Sequence, residues 1–326
     1  MKNRAKRKWR LGILLLFASS ISVGYGFGFI YSRETNGSPT VEARRADAGI
    51  DATETFNAER ALSDAEVGFQ MHSEHALLIN LSTNEILFEH LAHDRAYPAS
   101  LTKIMTVLLG VQLIESETMI IRADFDQLLL QDAVIVGFGY GEERTTSEVL
   151  HGAMLASGAD ATSTIAYHVA GSYEGFVTLM NEKAAELGMR NTHFTNTTGL
   201  HHDGHYTTAY DMAKLLEYAL KQPEFYDIFT SKTYPFVTIW GEQQLIQSTL
   251  FSNLFGREIY GGEMIGGRTG FTFPAGRCLA SLATNTEEYF LLITMGAKTY
   301  EFDQMLHLDD AILIYGYFFE KMANNR

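Results

Sequence analysis

The chain carries one cysteine, Cys278, in 326 residues. No intramolecular disulfide can form, so stability has to come from packing. Cys278 stands in the apolar run Cys278-Leu279-Ala280, the setting of a small core residue rather than of a nucleophile. Proline is scarce, with five residues against 28 glycines, which excludes a proline-rich or collagen-like fibre. Positive charge is in deficit: 25 Lys and Arg face 39 Asp and Glu, a formal net charge of -14. That balance argues against nucleic acid as a partner, because polyanion binders carry a basic surface. There is no internal repeat and no low-complexity tract. What the chain does have is 46% hydrophobic residues over a length that buries a substantial core, as one large domain or two intertwined subdomains.

The scarce positive charge is concentrated at the start. Lys2, Arg4, Lys6, Arg7, Lys8 and Arg10 precede an uncharged run from Leu11 to Tyr31. About 20 apolar residues at ~1.5 Å rise span the ~30 Å hydrocarbon core of a bilayer. Residues 1–32 therefore read as a cytoplasmic basic end followed by a transmembrane anchor, with the remainder outside the cell membrane by the positive-inside rule. A cleaved signal peptide is the alternative. The run is longer than a signal core, and no small-x-small cleavage site follows it directly. Residues 33–67, rich in Ala, Glu, Asp, Arg, Thr and Ser, read as an extracytoplasmic linker that cannot bury much apolar surface. The folded domain is expected over 68–326.

Periodicity divides that domain into strands, then helices, then strands. His75–Leu81 and Glu85–Glu89 flank the turn residues Ser82-Thr83-Asn84 and read as a β-hairpin. Helical spacing follows at Leu101–Ile114, Ser147–Ala156, Ser163–Ala170, Tyr173–Leu187 and Thr208–Leu220. The fourth of these ends at Gly188, and Thr208 with Asp211 has capping-box spacing with Asp in the Glu position. Thr269–Thr272, Arg277–Thr284 and Tyr289–Met295 read as strands, and Gln304–Lys321 as a closing helix. The expected class is α+β, a mainly antiparallel sheet flanked by helices, with a helical subdomain inserted between its two sequence halves.

Three short motifs carry chemistry. Ser100-Leu101-Thr102-Lys103 is an S-x-x-K at a helix start, where positions i and i+3 share a face and Lys103 can reach the Ser100 hydroxyl. A serine hydroxyl is a poor nucleophile alone, and an adjacent unprotonated amine activates it. In isolation this four-residue match is common. Ser157-Gly158-Ala159 follows a helix, and Arg268-Thr269-Gly270 leads a strand near the C-terminus. Their order matches the S-x-x-K, S-x-N and K-T-G motifs of penicillin-recognising serine enzymes.

The wider chain, from about Glu74 to Phe319, resembles the low-molecular-mass D-alanyl-D-alanine carboxypeptidases, penicillin-binding proteins of serine peptidase family S11. The similarity extends over Ala96–Thr106, Met180–Ala184, Leu187–Phe194, Asn196–Leu200 and His205–Met212. The resemblance implies a β-lactamase/DD-peptidase-like fold and a D,D-carboxypeptidase that removes terminal D-Ala from peptidoglycan stem peptides. It implies that Ser100 is acylated, that Lys103 takes its proton, and that Ser157 relays a proton to the leaving amine. It implies that Arg268 and Thr269 receive the substrate carboxylate, and that Gly270 lets the substrate backbone lie along the strand. The backbone N–H groups of Ser100 and Phe271 would form the oxyanion hole. β-Lactams would be covalent inhibitors, and no cofactor or metal is implied.

Two positions depart from the family pattern. Ala159 stands where the family has Asn, and Arg268 where it has Lys. Arg keeps the charge and can bind a carboxylate bidentately, but it does not exchange protons near neutral pH. These departures leave room for a β-lactamase, or for a catalytically silent membrane-tethered binder or sensor of peptidoglycan or β-lactams. No glutamate is identifiable as a β-lactamase deacylation base. His201, His202 and His205 with Asp203 are the one cluster with metal-ligand chemistry. They lie in a glycine-containing loop and lack the i, i+4 helical spacing of a metal site, so a loop role is expected. Asp160 is a candidate acid beside Ser157, with helix capping as its alternative.

Overall fold

The computed structural model describes residues 56–59, 61–68, 70–122, 133–238, 240–254, 256–298 and 304–324. The basic end, the apolar run to Tyr31 and most of the expected linker lie outside the described residues. Among the described residues no helix is long and apolar enough to cross a membrane.

The expected first hairpin forms as β1 (His75–Asn80) and β2 (Glu85–His90), turning through Asn84 at φ 61°. The C-terminal strands are β7 (Glu263–Thr272), β8 (Gly276–Thr284) and β9 (Tyr289–Ala297). They join β1 and β2 in one antiparallel sheet of order β2-β1-β9-β8-β7. β1 lies directly against β9, with Leu77 opposite Ile293 and Ile79 opposite Leu291. The sheet is covered on both faces, which is why β1 and β9 are nearly continuous apolar runs rather than alternating ones. Leu77, Ile79, Leu291 and Ile293 face the helical side, while Ala76, Leu78, Phe290 and Leu292 face α9 (Leu306–Asn324).

The inserted helices are α2 (Lys103–Leu113), α3 (Thr146–Met154), α4 (Ala159–Ala170), α5 (Tyr173–Glu186), α6 (Ala209–Leu220) and α7 (Pro223–Thr230); a short α1 (Asp64–Val67) precedes β1. Lys103 to Gly110 of α2 is buried throughout, so this helix is surrounded rather than amphipathic. α3 starts from a complete capping box: Glu148 N–H donates to Thr145 Oγ1, and Thr145 N–H donates to the Glu148 carboxylate. The box expected at α6 is only half made. Thr208 Oγ1 accepts from Asp211 N–H, but the Asp211 carboxylate turns away to accept from Asn191 N–H and the Thr192 hydroxyl, each at 2.8 Å.

Three differences from the sequence reading concern position. α4 begins at Ala159, four residues before the expected start, because Ser163 and Thr164 bond back to the carbonyls of Ala159 and Asp160 instead of capping. The chain before Gly68 is not all tether: Asn57 and Leu62 pair with Glu85 and Phe88 along the β2 edge, and Phe56 is buried in the core. The short elements β3 (Thr118–Ile120), β4 (Glu143–Thr145), β5 (Thr233–Val237), β6 (Gln243–Gln247) and α8 (Thr249–Leu254), together with α7, carry too few periods to be read from pattern.

Asp310 of α9 ties the segment before β1 to the closing helix. Its carboxylate accepts from His72 N–H at 3.0 Å, Ser73 N–H at 2.7 Å and Ser73 Oγ at 2.6 Å, and Ser73 is buried. Asp310→Ala leaves those donors unpaired, at about 1–3 kcal/mol per buried group. Urea unfolding is expected to show a lower midpoint with an unchanged m-value.

Candidate active site

Ser100 does not sit in the first turn of an α-helix. It lies in a 3-10 turn, Ala99–Thr102, which runs directly into α2. In 3-10 geometry the side chains at i and i+3 eclipse, which stacks Lys103 over Ser100. Lys103 Nζ is 3.3 Å from Ser100 Oγ, and Ser100 Oγ is 3.1 Å from Ser157 Oγ. Two of the three expected catalytic side chains therefore converge on the third.

The turn is held in a costly conformation. Ala99 has φ 46° and Ser157 has φ 69°, both in the left-handed region that non-glycine residues avoid at about 1–3 kcal/mol each. Ser157 occupies the reversal between α3 and α4, with Gly158 N–H returning to the Gly152 carbonyl at 3.0 Å. Two glycines then allow the close contacts that hold Ala99. A Cβ on Gly199, itself at φ 84°, would come within 1.8 Å of the Ala99 carbonyl oxygen. A Cβ on Gly270 would meet Ser100 N at 2.9 Å. Gly270 thus lets β7 lie against the Ser100 turn.

Lys103 is almost entirely buried. Burial lowers its pKa well below the usual lysine range, the charge of Arg268 lowers it further, and Asp160 opposes both. Its Nζ donates to the Thr198 carbonyl at 2.6 Å. That carbonyl belongs to a loop organised by Asn196, whose Oδ1 accepts from Thr198 N–H, Thr198 Oγ1 and Gly199 N–H, and whose Nδ2 donates to the Leu200 carbonyl. Sequence reasoning assigned Thr198 no role. The available signal was an Asn three residues before a Gly, the mark of a side-chain-mimicked turn.

Asp160 is fully buried and caps a loop rather than acting on Ser157. Its carboxylate accepts from three successive amides, Val136, Gly137 and Phe138, at 2.9, 2.9 and 3.1 Å, and also from Ala161 N–H. The same loop packs Ala133 and Ile135 on Ala159, and Ala159 N–H donates to the Val134 carbonyl. The methyl at 159 thus becomes part of a small apolar seam. The cleft over Ser100 is lined by Lys103, Ser157, Val134, Leu200 and Phe271 among others.

Arg268 and Thr269 are placed differently from Phe271. The Arg268 side chain is fully buried beneath the turn, donating from Nε to the Ser100 carbonyl at 3.2 Å and from Nη1 to the Met154 carbonyl at 2.8 Å. Burial lowers its pKa to about 9. The Thr269 hydroxyl donates to Thr249 Oγ1 at 2.8 Å. Neither lines the cleft, whereas Phe271 and Thr272 do.

The histidine loop gathers no metal-binding group among the described residues. His201 packs edge-on against Tyr97, and His205 is buried. Cys278 is buried, with burial pushing its thiol up to about 12, which leaves it without nucleophilic character at neutral pH.

A model of the D-alanyl-D-alanine carboxypeptidase family matches residues 59–299. The D-alanyl-D-alanine carboxypeptidase DacF of Bacillus subtilis (strain 168) is 34% identical over 229 residues, 69% of this chain and 57% of that protein. DacA of Escherichia coli (strain K12) is 31% identical over 242 residues, 71% of this chain and 58% of that protein. The chain therefore spans a little over half the length of these curated relatives. The solved D-alanyl-D-alanine carboxypeptidase of Mycobacterium tuberculosis H37Rv superposes with a TM-score of 0.65 at 26% identity, over 77% of this chain and 92% of that one. The chain belongs to the D-alanyl-D-alanine carboxypeptidase family and has its α+β fold.

The charges around Lys103 give the site a pH signature. Labelling of Ser100 by an electrophilic serine probe is expected to rise with pH as Lys103 loses its proton. Arg268→Gln removes a charge that lowers the Lys103 pKa, so the rise moves to higher pH. Asp160→Asn removes the opposing charge, so the rise moves to lower pH. A pH titration of labelling rate in the two variants checks the opposite signs.

Proposed function

We propose that this chain is a serine-type D-alanyl-D-alanine carboxypeptidase acting on peptidoglycan stem peptides that end in D-Ala-D-Ala. The observation that carries this reading is the buried amine of Lys103, its basicity depressed, 3.3 Å from the Ser100 hydroxyl. Ser100 Oγ attacks the penultimate D-Ala carbonyl carbon while its proton passes to Lys103 Nζ. The resulting oxyanion is met by the N–H groups of Ser100 and Phe271, donors of a kind whose loss costs about 3–4 kcal/mol. The C–N bond breaks as Lys103 returns the proton to the leaving amine through Ser157, 3.1 Å from Ser100 Oγ, and D-Ala departs. Water then attacks the ester, giving a proton to Lys103, and Ser100 leaves with a proton restored. β-Lactams acylate Ser100 by the same attack, with the leaving nitrogen still tethered in the opened ring.

The burial of Arg268 beneath the turn and the Thr269–Thr249 hydrogen bond bear on carboxylate recognition. In this reading Arg268 acts on the carboxylate through its field, and through its pull on Lys103, more than by direct contact. The second reading, a catalytically silent binder of peptidoglycan or β-lactams, rests on the departures at Ala159 and Arg268. The uncharged run Leu11–Tyr31 behind a basic end supports a single-pass anchor holding the catalytic body outside the cell membrane.

The deciding measurement is D-Ala released from a stem peptide ending in D-Ala-D-Ala. The wild-type protein is expected to release it, and Ser100→Ala to lower the rate by more than about a thousandfold. Peptide or penicillin binding without release would establish the silent binder. Activity that survives Ser100→Ala and dies with a chelator would exclude the serine mechanism.

A further inference from the structure

His205 is one of the loop histidines that a metal reading would have used, and the steps above leave it idle. Its surroundings give it a different task. The ring is 2% exposed and packs edge-on against Phe194. Thr195 N–H donates to Nδ1 at 3.0 Å, so Nδ1 is an acceptor and carries no proton. A neutral imidazole has one N–H, which must then be on Nε2. Nε2 lies 2.8 Å from Thr102 Oγ1, so it donates there, and the Thr102 hydroxyl, its lone pair occupied, donates to the Ala99 carbonyl at 2.8 Å. Burial holds the imidazole neutral, with its pKa lowered to about 3, so this polarity persists across the working pH range.

The chain therefore ends on the strained residue that precedes the nucleophile. Ala99 is in the left-handed region, and Gly199 lies close against both its carbonyl and the Thr102 hydroxyl. Each donor along the path has one acceptor and a fixed direction. Resting on the acyl-transfer reading above, we propose that His205 is a positioning residue for acylation, acting through Thr102 on the Ala99 carbonyl and so on the orientation of Ser100. A metal role is incompatible with this geometry, because both ring nitrogens are engaged by the protein.

Two substitutions separate the halves of the ring. His205→Gln places an amide N–H near the Nε2 position and keeps the donor to Thr102. His205→Asn keeps polar atoms near Nδ1 and loses that donor. The second-order rate of Ser100 acylation by a fluorescent penicillin, with D-Ala release alongside, is expected to fall by about tenfold or more in His205→Asn and in Thr102→Val, as small misplacements at a reacting centre do. His205→Gln and Thr102→Ser are expected to recover most of that rate. The double variant His205→Asn/Thr102→Val is expected to be no slower than the slower single variant, since both break one path. KM for the peptide should stay near the wild-type value while kcat falls. Losses that multiply in the double variant, or Asn and Gln variants with equal rates, overturn the proposal. So does a rate that merely tracks thermal stability. If His205→Asn fails to fold, the Thr102→Ser and Thr102→Val pair decides alone, with equal rates overturning it. A wild-type protein that is labelled but shows no rescue pattern sinks only this role; one that is neither labelled nor releases D-Ala sinks the proposed function and this role together.

Discussion

The removal of one amine from water is the constraint on which the site rests. Lys103 is almost entirely buried, its amine held against the Ser100 hydroxyl and the Thr198 carbonyl, with the charges of Arg268 and Asp160 near enough to act on it. A buried ammonium is expensive in a low-dielectric interior, so the neutral amine is favoured, and a neutral amine is what activates a serine hydroxyl. The surrounding charges adjust that preference in opposite directions. Arg268, beneath the turn, pushes the proton off; Asp160, beyond Ala159, pulls it back. The protein thus sets the basicity of Lys103 by enclosure first and by two fixed charges second.

The enclosure requires backbone to meet backbone. Ala99 and Ser157 are both in the left-handed region, and both adjoin or supply a hydroxyl of the candidate site. Such strain persists only where neighbours over-determine it. Here the neighbours are identifiable: Gly199 against the Ala99 carbonyl, Gly270 against the Ser100 amide, and the Thr102 hydroxyl bonded to the Ala99 carbonyl. A side chain at either glycine would push the nucleophile turn away from its amine or from β7. The glycines are thereby part of the geometry of Ser100, though neither has any chemistry of its own.

The departures from the family motifs acquire a physical setting. At 159, the methyl group packs with Ala133 and Ile135 in a wall whose amides are held by Asp160. At 268, the guanidinium spends Nε and Nη1 on two backbone carbonyls that bracket the site, those of Ser100 and Met154. A lysine has no planar fork to reach two such acceptors at once. Arg268 therefore ties the Ser100 turn to the end of α3, and its positive charge lies buried beneath that turn.

The sequence by itself determined the parts that depend on local pattern and residue type. Apolar periodicity was enough for the hairpin at 75–90, the strands at 277–297 and the long helices, and the S-x-x-K spacing sufficed to pair Ser100 with Lys103. The linked segments from Ala96 to Met212 were enough for the family. What only the tertiary structure decided was everything set by contacts between distant segments. Nothing local tells that β1 joins β9, that the Thr198 carbonyl receives Lys103, or that Gly270 opposes the Ser100 amide. Nor does it tell that Thr269 turns to Thr249, or that His205 lies against Thr102, 103 positions away in the chain. Hydrogen bonds and close approaches of this kind are settled by where the core places two backbones, and a pattern of period 2 or 3.6 carries no information about that distance.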